Sequence, residues 1–150
     1  MDYIHLPMFL VNAYMLFHLS KIDIKEMLLP DKLTLPLLVI NVILVGVSIG
    51  YLNALVAASI GLILGLTLQY CGKSKLGGGD VKLFAALAPT FLTHSYPYFF
   101  YLAGLSFMLS AVYAAINKKF KRDSLIPMGP FIAVSWAVVV GVGILTGIYV

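Results

Sequence analysis

Residues 33–72 read LTLPLLVINVILVGVSIGYLNALVAASIGLILGLTLQYCG, forty consecutive positions without Asp, Glu, Lys, Arg or His. A helix needs about 20 predominantly apolar residues to cross a hydrocarbon core about 30 Å thick. The run therefore holds two crossings, with Gly50 and Asn53 marking the turn between them. Outward from it, Leu83 to Asn117 gives thirty-five more residues interrupted only by His94, and Ser124 to Val150 gives a further twenty-seven. Over the 150 residues 61% are apolar and 11% charged, under half of the roughly one-quarter charged fraction of an average soluble chain. This excludes a water-soluble globule and predicts an all-helical, polytopic membrane protein, a single domain over residues 1–150.

Six spans are expected: about Tyr3–Ile22, Leu33–Tyr51, Ala54–Cys71, Val81–Thr93, Tyr96–Ile116 and Pro127–Tyr149. The first lacks a basic stretch ahead of its apolar run, so it reads as a retained helix and not as a signal peptide. The fourth is short for a crossing, but the charges support it. Lys21, Lys25 and Lys32 lie between spans one and two, Lys73, Lys75 and Lys82 between three and four, and Lys118, Lys119, Lys121 and Arg122 between five and six. Short loops rich in Lys and Arg stay cytoplasmic, so these three face inward and both termini face outward. Membrane orientation and anionic lipid account for the net charge of +4 without nucleic acid.

The acidic residues follow the same polarity. Asp2 stands at the outer terminus, while Asp23, Glu26, Asp31, Asp80 and Asp123 fall on the inner side. Asp23 ends the first span and Asp80 opens the fourth, which puts two carboxylates at one depth. Gly77-Gly78-Gly79 precede Asp80 and let another segment approach the backbone closely. Taken singly, each acid has a plainer reading: Asp80 as the N-cap of the fourth helix, Asp23 as a solvated loop charge, Asp31 as the N-cap of span two, Glu26 and Asp123 as solvated charges. Taken together, two adjacent carboxylates cannot both ionise cheaply, so one keeps a proton while the other acts as a base. Such a pair can activate water and protonate a peptide carbonyl with neither metal nor cofactor.

Other constellations are weaker. His5, His18 and His94 are scattered and read as packing residues, and the lone Cys71 excludes an internal disulfide and a thiol zinc site. No Gly-x-Ser-x-Gly or Walker pattern occurs. Asn12, Asn41 and Gln69 lie inside spans, where interhelical hydrogen bonds explain them at least as well as a transport path. Tyr96 to Tyr101 fits an outer aromatic belt.

Three stretches then coincide with one family. Ile22 to Pro36 resembles the first aspartate motif of the type IV prepilin peptidases, membrane aspartic proteases of the Gly-x-Gly-Asp type; Gly77-Gly78-Gly79-Asp80-Val81-Lys82-Leu83 resembles the second; Ile126-Pro127-Met128-Gly129-Pro130-Phe131 resembles the entry to the last helix. The resemblance implies Asp23 and Asp80 as the catalytic pair. Gly77, Gly78, Gly79 and Lys82, with Glu26 and Asp31, form the set expected to support the loop or bind substrate. It further implies cleavage of the basic leader from prepilin or pseudopilin precursors at the cytoplasmic face of the bacterial inner membrane, alongside pilus or secretion assembly proteins. Longer members carry an N-terminal Cys-x-x-Cys region and methylate the product; with two dozen residues ahead of the first motif, peptidase activity alone is expected here. The competing expectation is a non-catalytic scaffold of the same fold, in which Asp80 is a cap and Asp23 a loop charge. A transporter is disfavoured because no charge falls near the middle of any span.

Overall fold

The computed structural model describes residues 5–27, 29–71, 77–92, 96–116 and 126–146. Asp2, His94, Asp123, Lys73, Lys75, Lys118, Lys119, Lys121 and Arg122 lie outside the described residues, as do the side chains of His5 and Cys71. Six helices form in chain order: α1 (His5–Glu26), α2 (Asp31–Ile49), α3 (Tyr51–Cys71), α4 (Gly78–Leu92), α5 (Tyr96–Ile116) and α6 (Gly129–Leu145). Each corresponds to one expected segment.

The helix ends are set by local chemistry. α1 stops at Met27, which takes the left-handed conformation (φ 51°) while its N–H still donates to the Asp23 carbonyl at 2.8 Å. A non-glycine residue there costs roughly 1–2 kcal/mol. The chain then turns into Pro30, which is the N-cap of α2 in extended conformation and offers no side-chain cap. The N-cap role expected of Asp31 is thus corrected: Asp31 sits one residue inside the helix, where a carboxylate still meets the positive end of the dipole. Gly50 (φ 92°) closes α2 through its N–H to the Gly46 carbonyl and turns the chain straight into α3.

α4 is the centre of the arrangement. It packs on α3, α2 and α5, and the surround closes through α5 on α6, α6 on α1 and α1 on α2. From Leu83 to Phe91 every residue is buried, the pattern of a helix enclosed on all sides. Two glycines permit its closest contact: a Cβ on Gly61 would stand 2.5 Å from Ala88 Cβ and 2.7 Å from the Phe84 carbonyl, and one on Gly65 would stand 3.0 Å from Val81 Cα. Spaced four apart, Gly61 and Gly65 make the small-residue stripe that lets membrane helices approach backbone to backbone.

Outside, the polarity is inverted relative to a soluble protein. Leu35, Val39, Ile43 and Val47 on α2, and Leu52, Leu55, Ile63 and Leu66 on α3, are exposed. Asp31–Ile49, Tyr51–Tyr70 and Pro97–Ile116 are long and apolar enough to cross a membrane. α6, with 17 residues, and α4, with 15, are shorter.

Candidate active site

Asp23 lies in the last turn of α1 and is 4% exposed; Asp80 lies in the first turn of α4 and is 7% exposed. The solvated-loop reading of Asp23 is therefore corrected: the helix runs through it to Glu26, and the side chain turns inward. Both carboxylates stand just beyond the apolar segments, which end at Ile22 and begin at Val81.

The last turn of a helix directs its carbonyls toward its end, an unfavourable place for a carboxylate. What offsets this comes from α6. The Gly129 N–H, at the first position of that helix, donates to Asp23 Oδ2 at 2.7 Å. The donor must be backbone with no side chain in the way, because a Cβ on Gly129 would fall 3.0 Å from that oxygen and 3.1 Å from Asp23 Cβ. Burial pushes the Asp23 pKa above its ordinary 3.8, and the Gly129 N–H pulls against that rise.

Asp80 is held differently. Gly77 supplies the carbonyl that accepts the first N–H groups of α4, from Asp80 at 3.1 Å and Val81 at 3.4 Å, while its own N–H donates to Asp80 Oδ2 at 3.1 Å. Asp80 is thus not the N-cap itself but the acid of a capping box, reaching back to the N-cap amide. Its other oxygen, Oδ1, is buried with no hydrogen-bond partner among the described residues. A protonated carboxyl tolerates such a position better than an ionised one. Burial, with the nearby Asp23 charge adding to it and the Gly77 N–H opposing, raises the Asp80 pKa to about 7.

The other sequence-derived residues divide. Gly79 lies against Leu29, with a would-be Cβ 2.6 Å from Leu29 Cβ, so it joins the turn after α1 to the start of α4. A Cβ on Gly78 would meet nothing within 4 Å. Lys82 pairs with Asp31 at 2.6 Å, both about half exposed, bridging the first turns of α4 and α2. Glu26 is exposed at the end of α1. His18 stacks edge-on with Tyr14, centroids 4.5 Å apart, and with Phe17 at 6.0 Å. No group of three His, Cys, Asp or Glu side chains gathers to hold a metal among the described residues. The amide of Gly129 was not foreseen as a partner of Asp23; the signal was a glycine between Met128 and Pro130 at a helix start, where an unused N–H is available.

Residues 10–116 match the model of the type IV leader peptidase family. The chain belongs to that family. It is 36% identical over 114 residues to prepilin peptidase EppA of Methanocaldococcus jannaschii, a match covering 70% of this chain and 31% of that protein. To a prepilin leader peptidase/N-methyltransferase of Aeromonas hydrophila it is 31% identical over 135 residues, covering 84% of this chain and 46% of that one. A relative with the same description in Vibrio cholerae is 30% identical over 138 residues, covering 84% and 52%. The chain thus spans about a third to a half of these family members' length. No solved structure matches it. The family match ends at the close of α5, so the contact that α6 makes with Asp23 lies beyond it.

Proposed function

We propose that the chain is an aspartic endopeptidase that removes the basic leader from prepilin or pseudopilin precursors at the cytoplasmic face of the membrane, working through Asp23 and Asp80. The observation that carries the reading is the unequal treatment of two buried carboxylates within electrostatic reach of each other: a helix N-terminus donates to Asp23, while Asp80 keeps one oxygen without a partner among the described residues. That inequality supports a division of roles. Asp23 is the ionised base, taking a proton from the water that attacks the scissile carbonyl, and Asp80 is the acid, giving its proton to the carbonyl oxygen. The tetrahedral intermediate then collapses as the leaving nitrogen is protonated, and the pair returns to its single-proton form. Family membership and the relatives' names support prepilin-type substrates.

In the same reading the six helices are six crossings of the cytoplasmic membrane, with both termini outside and the first turn of α4 at the inner boundary. Glu26, exposed and three residues beyond Asp23, is the acid suited to seat a basic leader, whereas Asp31 is already paired with Lys82. Mass spectrometry of a precursor incubated with the purified chain tests the proposal. Wild-type protein cleaves at the leader boundary, and Asp23→Asn and Asp80→Asn each lower kcat by on the order of 10⁴. Cleavage surviving in either variant refutes the assignment of that residue, and a scaffold tolerates at least one of the two.

A further inference from the structure

The two helices that carry the aspartates owe their alignment to other helices. α1 lies on α6 and, more thinly, on α2, while α4 lies on α2, α3 and α5. α2 is the helix that touches both, so the depth and rotation of Asp23 relative to Asp80 depend in part on what α2 transmits between them, and two buried amides make that link. Asn41, on α2 and 0% exposed, donates from Nδ2 to Asn12 Oδ1 at 2.9 Å and to the Ala86 carbonyl of α4 at 2.8 Å. Asn12, on α1 and also 0% exposed, donates back to Asn41 Oδ1 at 3.0 Å and to the Met8 carbonyl of its own helix at 2.8 Å.

All four amide N–H donors are thereby used, and each side-chain oxygen accepts once. This joins three helices through directional bonds inside an otherwise apolar interior. Apolar side chains of similar volume would fill the space without fixing one register, since they slide past each other at little cost, whereas a single buried amide selects one alignment. Interhelical bonds of this kind contribute only modestly to the stability of membrane helices, which makes alignment the larger consequence. The placement fits. Eleven residues separate Asn12 from Asp23, three turns plus about 20°, so both lie on one face of α1 roughly 16 Å apart along its axis. Ala86 follows Asp80 by six residues on α4.

We infer that Asn12 and Asn41 are positioning residues for the peptidase reaction: their reciprocal amide pair, extended to the Ala86 carbonyl, fixes the register of α1 against α4 and so the separation of the two carboxylates. The inference rests on the aspartate-pair reading above. It is tested with the Asn12→Leu/Asn41→Leu double variant in detergent, beside wild type and Asp80→Asn, on a synthetic precursor whose basic leader precedes an apolar helix. The double variant keeps wild-type helicity and melting behaviour, binds the precursor with KM within about twofold, and loses about 100-fold in kcat, the scale of an ångström's misplacement. Should it not remain folded, Asn12→Ser/Asn41→Ser takes its place, because serine hydroxyls satisfy themselves on the preceding turn and leave no orphaned amide. Wild-type kcat per folded molecule in the variant overturns the inference. So does activity that falls only in proportion to the folded fraction, which is the mark of a purely structural pair. A folded wild type that cleaves nothing, or an Asp80→Asn protein that still cleaves, overturns the functional reading and this inference with it.

Discussion

At the scale of single residues, the protonation of Asp80 governs behaviour with pH. Its folded pKa is about 7 against an ordinary 3.8, so between those values the folded protein holds a proton that the unfolded chain releases. Stability therefore falls as pH rises from about 4 through 7, the opposite of an ordinary salt-bridged carboxylate. Activity on the proposed mechanism needs one proton on the pair: it rises as Asp23 ionises, at a pH raised from its ordinary 3.8, and declines above about pH 7 as Asp80 ionises. A pH–rate profile flat from 6 to 9 contradicts the assignment. The glycines separate by their surroundings. Gly79→Ala presses a methyl onto Leu29 and lowers activity at least tenfold, whereas Gly78→Ala meets open space and stays within about twofold. The positions of Asp23 at the end of α1 and Asp80 at the start of α4 were legible because each lies at the edge of an apolar run. The Gly129 donor was less so, because 106 residues separate it from Asp23 and only the packing of α6 on α1 brings them together. Asp31 was misread as a cap because a carboxylate just after a proline suits either the N-cap or the first turn, and its partner, Lys82, is 51 residues away.

At the scale of elements, hydropathy located five of the six helices, since apolar runs broken by charge and by glycine or proline leave few alternatives, and the spacing of the basic loops supported the fourth. It could not say which helix the others enclose. Running hydropathy reports how apolar a segment is and not whether lipid or protein covers it, so central α4 looked merely short. The pattern that held the answer was Gly61-x-x-x-Gly65, whose alignment on Val81, Phe84 and Ala88 becomes visible only when α3 and α4 are docked. Gly61→Val forces that interface apart and costs about 1–3 kcal/mol, with activity falling as Asp80 moves along with α4. Thermal unfolding in detergent, followed by circular dichroism, measures the loss. The equivalent change at Gly141, which faces nothing within 4 Å, leaves the melting temperature within a degree or two.

For the whole molecule, the proposed topology is checked by labelling single cysteines in a Cys71→Ala background with a membrane-impermeant maleimide on intact cells. Asn53→Cys, exposed in the first turn of α3, reacts from outside, and Glu26→Cys reacts only after permeabilisation; the reverse pattern inverts the orientation read from the basic loops. A last consequence concerns the length of α4. Fifteen helical residues rise about 22 Å, against a hydrocarbon thickness of about 30 Å, and the helices around α4 prevent it from tilting on its own. In the proposed topology, however, lipid meets the longer helices around α4 and not α4 itself, so the shortfall is taken up inside the protein and the bilayer is matched to the outer helices. Turnover in vesicles of graded chain length is then expected to peak where the lipid matches α2, α3 and α5, and not where it matches the shorter α4.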